Sequence, residues 1–385
     1  MKKPTLKPES PCFGSGPTRK RPGWDLSQLE NACLGRGHRS PVGQAKLKEV
    51  ITRTREVLKV PENYRIAIMP GSATGAVECA LWTLLGARGV DVFAWDLFGT
   101  LWVTDVIEQL RLPGTRTFTA PFGYLTDLSI HTPDRDVVFT WNGTTTGVCV
   151  PNVDWIAKDR QGLSICDATS AAFCMELDWE RLDVTAFSWQ KGLGGEAGHG
   201  MLILSPRAIQ RLQTYSPSRP TPRLFRLCKD KGTLLEEIFE GGTINTPSML
   251  CVEDCLDGLR WAQRLGGLPA LIQRCQKNFT IIARWVERTP WLGYLAKDPR
   301  TVSPTSVCLE ILDDLGQPLP EVPHRTIIQS IEKILSDEGV AYDIRNHRYS
   351  SPSLRIWAGP TMESDDLEAL FPWLEWAYGE SKVLL

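Results

Sequence analysis

The sequence has no apolar run near the roughly 18 residues that a membrane-spanning helix needs. Its first ten residues are rich in Lys and Pro and lack the apolar core of a signal peptide. It also lacks an excess of either charge, with 43 Lys and Arg against 45 Asp and Glu, which argues against a chain built to coat nucleic acid or an anionic membrane. We therefore predict neither a nucleic acid nor a membrane as partner.

Cysteine pairs with metal-binding spacing are missing as well. None of the eleven cysteines forms a CxxC pair, and Cys251 and Cys255, the two that lie close together, have no second Cys or His pair to complete a zinc site. The sequence therefore predicts no metal site. Scattered thiols in apolar surroundings favour a reducing, cytoplasmic compartment.

The composition is that of a globular protein, with 42% hydrophobic and 23% charged residues. At about 150 residues per domain, the 385 residues predict two or three domains, or one large domain with an appendage. We place an N-terminal arm that packs with the small domain at residues 1–16, a large domain at 17–265 and a smaller C-terminal domain at 266–385.

Short apolar or β-branched runs alternate with helical stretches from residue 64 onwards. The runs predict seven strands, at Tyr64–Pro70, Val90–Trp95, Thr115–Ala120, Asp136–Trp141, Leu163–Asp167, Val184–Trp189 and Met201–Leu204. Helical stretches such as Thr74–Leu85 and Leu101–Leu110 separate several of them, so we expect a mostly parallel sheet covered by helices. The last strand follows its neighbour too closely for a helical crossover and is predicted to be antiparallel.

The remainder of the chain mixes helices and strands after a Pro-rich loop at Pro217–Pro222. Helical periodicity is predicted at Thr233–Phe239, Met249–Leu265, Pro269–Arg288, His324–Glu338 and Ser364–Tyr378. Strand-like runs at Ser306–Ile311 and Ser353–Trp357 complete a smaller α+β domain.

Candidate functional residues follow the ends of the predicted strands, where open α/β sheets bind ligands. Gly71–Gly75 opens a helix and can bring backbone N–H groups to an anion, with an ordinary helix start as the alternative. No Lys-Ser/Thr pair follows it, so it is not a Walker loop. Asn142–Gly147 offers hydroxyls to a ligand, or forms a simple turn.

Asp167 ends the fifth predicted strand and Lys191 follows the sixth. Asp167 either caps a helix or is paired, because a buried carboxylate without a partner is costly. Lys191 is either a solvated charge or a desolvated amine whose lowered pKa makes it nucleophilic. Gly192–Ala197 matches a loose dinucleotide fingerprint, but the next element looks like a strand where that fingerprint requires a helix.

An anion cup, an acid and a lysine in this order resemble the fold-type I pyridoxal-phosphate enzymes. The cofactor needs a Lys for its Schiff base, a carboxylate for its ring nitrogen and a cup for its phosphate. Thr74, Asp167 and Lys191 match these needs.

The chain further resembles the phosphoserine aminotransferase family of class-V aminotransferases, in the branch found in archaea and some bacteria. The motifs that carry the resemblance are Gly14–Pro17, His38-Arg39-Ser40, Ser72–Gly75, Phe98, Trp102, Asn142–Gly147, Asp167, Ser188–Lys191, Asn245-Thr246-Pro247 and Arg355. The resemblance implies a fold-type I pyridoxal-phosphate transferase, with a mostly parallel seven-stranded sheet in a large cofactor-binding domain and a smaller α+β C-terminal domain.

The resemblance also implies the cofactor contacts. Lys191 would bind pyridoxal 5'-phosphate and move a proton, and Asp167 would pair with the ring nitrogen. Trp102, with Phe98 as the alternative, would stack on the ring, and Thr144 would bind the ring hydroxyl. The phosphate would be held by Ala73, Thr74, Gln190 and, from a neighbouring subunit, Asn245 and Thr246, which implies a homodimer.

The implied substrate contacts are Ser15, His38, Arg39, His347, Arg348 and Arg355. Arg355 resembles the clamp for the α-carboxylate, and His38-Arg39 the pair for the distal anion. A surface loop for His38-Arg39 and a polar turn for His347-Arg348 remain alternatives. The better-known branch has an Arg beside the cup where this chain has Ala73-Thr74, so Arg345 or Arg348 is a candidate replacement.

The implied reaction transfers an amino group between L-glutamate and 3-phosphohydroxypyruvate, giving O-phospho-L-serine and 2-oxoglutarate in L-serine biosynthesis. A related phosphorylated hydroxythreonine in pyridoxine biosynthesis is a second candidate product. The nearest alternative is a serine- or alanine-glyoxylate aminotransferase. A lyase or cysteine desulfurase would need a mobile Cys, whereas Cys166 should point away from Asp167. A non-enzymatic binding protein would have lost Lys191.

Overall fold

The computed structural model describes residues 2–347 and 349–382. Its strands are β1 Arg65–Pro70, β2 Val90–Ala94, β3 Thr115–Thr119, β4 Asp136–Thr140, β5 Asn142–Gly143, β6 Val148–Cys149, β7 Ser164–Asp167, β8 Val184–Ser188, β9 His199–Leu204, β10 Cys228–Asp230, β11 Thr233–Leu234, β12 Leu292–Tyr294, β13 Ser306–Ile311 and β14 Leu354–Trp357.

Its α-helices are α1 Pro41–Leu58, α2 Ser72–Leu84, α3 Leu97–Thr104, α4 Pro206–Thr214, α5 Met249–Leu265, α6 Leu268–Glu287, α7 Glu321–Asp337 and α8 Ser364–Ser381. A π-helical turn, Asp105–Gln109, continues α3. Short 3-10 turns lie at Leu26–Leu29, Leu128–Ile130, Arg223–Phe225, Glu236–Phe239 and Pro299–Thr301. Among the helices that the structure describes, none has both the length and the apolar character needed to cross a membrane.

A seven-stranded sheet forms the centre of the first 265 residues, in the order β1-β9-β8-β7-β4-β2-β3. Five adjacent strands, β8, β7, β4, β2 and β3, run parallel to one another. The strand β9 lies between β8 and β1 and is antiparallel to both. The predicted mostly parallel sheet and its antiparallel last strand are both confirmed. Because the parallel strands point the same way, their carboxyl ends meet at one edge.

The two faces of this sheet are buried under different helices. Along β1, Ala67 and Met69 face the core that includes α2 and α4, whereas Ile66 and Ile68 face the core that includes α1 and α5. This period of two follows from strand geometry, and burial on both faces explains why residues 66–69 of β1 are all apolar.

A second sheet, β12-β13-β14, packs with α6, α7 and α8 around another core. Phe13 of the N-terminal arm is fully buried in that core, and its carbonyl accepts a 3.0 Å hydrogen bond from the Trp357 N–H. The division of the chain into an arm and two domains at residues 16 and 265 remains a prediction.

The predicted helix at Thr233–Phe239 is wrong. Thr233–Leu234 instead pairs with Cys228 and Asp230 as a short hairpin through Gly232 (φ 84°), and Glu236–Phe239 is a 3-10 turn. Leu234 and Ile238 are both buried, so their spacing of four residues imitates a helix without forming one.

Candidate active site

Four polar side chains lie at the edge where the parallel strands end. Asp96 follows β2, Asn142 follows β4, Asp167 is the last residue of β7, and Lys191 comes shortly after β8. All four are buried. The structure therefore brings the predicted Asp167 and Lys191 together on neighbouring strands.

Lys191 is enclosed by the N-terminal arm. Its Nζ donates a hydrogen bond to the carbonyl of Ser15, and a Cβ on Gly16 would overlap the ammonium group. Thr18 fixes the adjacent backbone, because its hydroxyl donates to the Lys191 carbonyl at 2.7 Å. Burial, and secondarily the charge of Arg355, lower the pKa of Lys191 to about 7. A substantial fraction of this amine is therefore neutral near physiological pH.

Asp167 is held by donors on two sides. The indole Nε1 of Trp102 donates to Oδ2 at 3.2 Å, and the Thr169 backbone N–H donates to Oδ1 at 3.1 Å. Burial raises the pKa of Asp167, while these hydrogen bonds oppose the rise. Trp102 thus lies beside the Asp167 carboxylate. That Trp102, or alternatively Phe98, stacks on the cofactor ring remains a prediction.

A network of hydroxyls lines the neighbouring wall. Thr144 Oγ1 lies 2.9 Å from Ser170 Oγ, and the Asn142 amide donates to Ser170 Oγ at 3.0 Å and to Thr305 Oγ1 at 2.9 Å. Thr305 is not among the predicted site residues, because it comes from the distant segment before β13 and carries no local signal.

The start of α2 presents free backbone donors. Gly71 (φ 81°) and Ser72 (φ 58°) direct their N–H groups to the Gly198 carbonyl, and no side chain caps the helix. The next two N–H groups, of Ala73 and Thr74, have no hydrogen-bond partner in the described part of the chain. An uncapped helix start of this kind binds phosphate well. Gln190 directly precedes Lys191, and its buried side-chain Oε1 also has no hydrogen-bond partner among the described residues.

Arg355 on β14 brings a positive charge to the site. Burial lowers its pKa, and its Nε is buried without a hydrogen-bond partner among residues 2–347 and 349–382. Its charge also lowers the pKa of Lys191, which places the two groups within electrostatic reach. A guanidinium in this state is suited to a carboxylate ligand.

Asp96 is a site residue that the sequence analysis did not single out. Its Oδ1 accepts the Gly99 N–H at 2.8 Å and so caps α3, whereas Oδ2 is buried without a partner in the described structure. Burial, together with the charge of Asp167, raises the pKa of Asp96 to about 7. Its position directly after the second predicted strand is the signal that could have identified it as a site residue.

The residues present fit pyridoxal 5'-phosphate. The α2 donors and Gln190 suit its phosphate, Asp167 suits its ring nitrogen, and Lys191 is an amine that is partly neutral. This arrangement also disfavours the dinucleotide interpretation, because a strand, β9, follows Gly192–Ala197.

His38 and Arg39 lie in a different place. They line a cavity of about 500 Å³ together with Thr243 and Ile244, and no described contact joins them to Lys191. Asn245 and Thr246 directly follow this cavity wall, and the Asn245 amide donates to the Thr246 carbonyl at 3.3 Å. The structure of one chain therefore does not bring these four predicted residues to Lys191.

His347 is exposed and lines a smaller cavity of about 90 Å³ with Arg325 and Arg345. Arg345 forms an ion pair with Glu332 at 3.1 Å. The predicted residue Arg348 lies outside the described residues.

Comparison with known proteins supports the assignment of the fold and identifies the family. Residues 127–273 match the aminotransferase class-V family. The chain is 50% identical over 376 residues to the phosphoserine aminotransferase of Methanosarcina mazei. This alignment covers 98% of this chain and 99% of the relative.

Solved structures share the fold at low identity. The phosphoserine aminotransferase of Cytophaga hutchinsonii gives a TM-score of 0.79 at 19% identity, over 94% of this chain and 97% of its own. An alanine–glyoxylate aminotransferase of Nostoc sp. gives 0.78 at 19% identity, over 98% and 97%. Overall shape alone therefore does not separate these two activities.

The fold and the site define a pyridoxal-phosphate-dependent aminotransferase of class V. Because the 50% identity extends over nearly the whole of both chains, the family within this class can also be assigned. The chain belongs to the phosphoserine aminotransferase family.

Proposed function

We propose that this protein transfers an amino group between L-glutamate and 3-phosphohydroxypyruvate, giving O-phospho-L-serine and 2-oxoglutarate. The observation that carries the proposal is the buried Lys191, with its lowered pKa, beside the buried Asp167 at adjacent strand ends. The similarity to the Methanosarcina mazei relative supports the choice of substrate.

Pyridoxal 5'-phosphate is the proposed cofactor, and when bound it supplies an electrophilic carbon and an electron-withdrawing ring. The N–H groups of Ala73 and Thr74, with the Gln190 side chain, would hold its phosphate. Asp167 would accept a hydrogen bond from the ring N–H, and this charge pairing favours the ionised carboxylate despite burial. Thr144 and Trp102 would contact the ring hydroxyl and the ring.

Lys191 is the proposed base. A neutral amine of pKa about 7 accepts a proton from the substrate α-carbon and returns it elsewhere at little cost near neutral pH. The arm that covers Lys191 through Ser15 and Gly16 helps to exclude water from this transfer.

The two anionic ends of the substrate would be bound by different groups of the protein. Arg355 and Ser15 would bind the α-carboxylate end, and His38 with Arg39 would bind the distal anion. His347 and Arg348 would add positive charge. We further propose a homodimer in which His38 and Arg39, with Asn245 and Thr246, act in the partner's site, since one chain keeps them apart from Lys191.

The proposed reaction belongs to L-serine biosynthesis, with a phosphorylated hydroxythreonine of pyridoxine biosynthesis as a second proposed product. Eleven free thiols support a cytoplasmic location.

The second candidate is a serine- or alanine-glyoxylate aminotransferase, because the Nostoc enzyme shares the fold about as closely as the Cytophaga enzyme does. The two are separated by a steady-state assay with L-glutamate as donor and either 3-phosphohydroxypyruvate, hydroxypyruvate or glyoxylate as acceptor. We expect kcat/KM to be highest for the phosphorylated acceptor, with O-phospho-L-serine identified by mass spectrometry. Equal or higher values with glyoxylate would refute the proposed substrate, and the K191A variant is the background control.

A further inference from the structure

The cavity that contains His38 and Arg39 is strongly basic. It lies between the segment before α1 and the segment that runs from residue 223 to 244, and has a volume of about 500 Å³. Arg223, Arg226 and Lys229 also line it, and Glu237 is the one carboxylate among its described lining residues. None of Arg223, Arg226 and Lys229 was predicted as a site residue.

Most of this positive charge is not compensated inside the chain. Lys229 and Glu237 pair with each other at 3.5 Å. Arg226 uses its Nε on the Thr221 carbonyl at 3.1 Å, which leaves its charge unpaired. Arg39, Arg223 and Arg226 form no ion pair with any described residue, so the cavity holds three guanidinium groups whose charges have no anionic partner in the described part of the chain.

His38 gives a second and independent sign of a ligand. It is 8% exposed, lines the same cavity, and its Nε2 has no hydrogen-bond partner among the described residues. Buried polar atoms in native proteins nearly always have a partner. Because guanidinium groups bind phosphate through paired, charge-assisted hydrogen bonds, a phosphate group fits this lining best.

We propose that Arg223 and Arg226 are specificity-determining residues that bind the phosphate of the substrate, in the active site of a second copy of this chain. The inference rests on the proposed function. Its geometric basis is that Arg223 and Arg226 line the same cavity as His38 and Arg39, which the proposed function assigns to the partner's site.

The first test compares the holoenzyme with the R223Q/R226Q variant, in which two exposed side chains are changed. The R284Q/R300Q variant, which changes two exposed arginines outside the cavity, is the matched control. With L-glutamate saturating, we expect kcat/KM for 3-phosphohydroxypyruvate to fall about 100-fold in R223Q/R226Q, since each lost charged hydrogen bond costs about 10-fold. The value for hydroxypyruvate should stay within about 3-fold of wild type, because it has no phosphate.

The outcomes separate the inference from the proposed function. If wild type prefers the phosphorylated acceptor and R223Q/R226Q retains that preference, the inference is wrong and the proposed function stands. Equal losses with both acceptors would also overturn the inference. If wild type shows no preference for the phosphorylated acceptor, the proposed function fails and the inference fails with it.

A mixed dimer tests which copy the arginines serve. K191A and R223Q/R226Q chains with different affinity tags are co-expressed, and the heterodimer is purified through both tags. If the arginines act across the dimer, one of its two sites is complete, so about half of the wild-type activity is expected. If they act within their own chain, both sites are defective, and activity no higher than that of R223Q/R226Q would contradict the proposal.

Discussion

Burial is what gives Lys191 its chemistry. An exposed lysine keeps its proton at neutral pH, whereas this one is enclosed by the arm at Ser15 and Gly16, and its pKa falls to about 7. Asp167 and Asp96 raise that pKa and so limit the fall. The side chain can therefore take up and release a proton near neutral pH.

This lowered pKa predicts a pH-dependent stability. Between pH 7 and 10.5 the unfolded chain holds the Lys191 proton more firmly than the folded chain, so the free energy of unfolding of the cofactor-free protein should rise with pH. The K191M variant lacks this group and should show a smaller rise. Urea unfolding of both proteins at several pH values measures the difference, and parallel pH profiles would contradict the account.

Asp167 is expected to act through its charge. Asparagine in D167N keeps the size of the side chain and one oxygen that can accept from either Trp102 or Thr169. It carries no negative charge, so it cannot stabilise a positive ring nitrogen. We expect the rate constant of the half-reaction with L-glutamate to fall about 100-fold or more, a size typical of lost electrostatic stabilisation at a reacting centre. Stopped-flow spectroscopy with L-glutamate measures this, and D154N, at a side chain 76% exposed, is the control. A D167N rate within a few-fold of wild type would exclude the proposed role.

The sequence identified the site residues that follow strands, and it missed those that depend on tertiary packing. Asp167 and Lys191 stand out because a polar group after an apolar strand must lie at the sheet edge. Thr305 and Arg223 have no such local sign, because their positions are set by loops that the sequence pattern does not fix.

The contact between α2 and β9 positions the proposed phosphate cup. A Cβ on Gly200 would overlap the Ser72 carbonyl and come within 2.8 Å of Ala76 Cβ, so only glycine allows this approach. The strand thereby holds the start of α2, where the N–H groups of Ala73 and Thr74 are free.

A larger residue at position 200 should therefore damage both stability and cofactor binding. G200V is expected to lower the free energy of unfolding by about 1–3 kcal/mol through overpacking. It should also weaken pyridoxal 5'-phosphate binding, measured by fluorescence titration of the cofactor-free protein. G379A, at an open position in α8, is the control. Unchanged cofactor affinity in a destabilised G200V would show that α2 does not position the cup.

At the scale of elements, the sequence predicted the seven strands to within one or two residues, because most of them are short, buried apolar runs bounded by turns. Helix α1 is absent from the predicted helices, although Ser40 caps it and Pro41 begins it. Its polar sequence made its helical period less visible than that of α5, which was predicted with its observed bounds.

The whole molecule assembles its site from distant parts of the chain. The arm supplies Ser15, the large sheet supplies Asp167 and Lys191, and the second sheet supplies Arg355. His38 and Arg39 remain in a separate cavity. The molecule is therefore expected to act as a homodimer.

Light scattering coupled to size-exclusion chromatography checks this expectation. We predict a mass of about twice the 43.0 kDa of one chain at micromolar concentration. A fully active protein with the mass of one chain would contradict the shared site.

The most direct test of the account is the absorbance spectrum of the purified protein with its cofactor, before and after L-glutamate and then 3-phosphohydroxypyruvate. We predict a visible band that falls with L-glutamate and returns with the phosphorylated keto acid, but returns poorly with glyoxylate or pyruvate. K191A should lack the band. A band that glyoxylate restores equally well would contradict the substrate, and no band in the wild-type protein with added cofactor would contradict the role of Lys191.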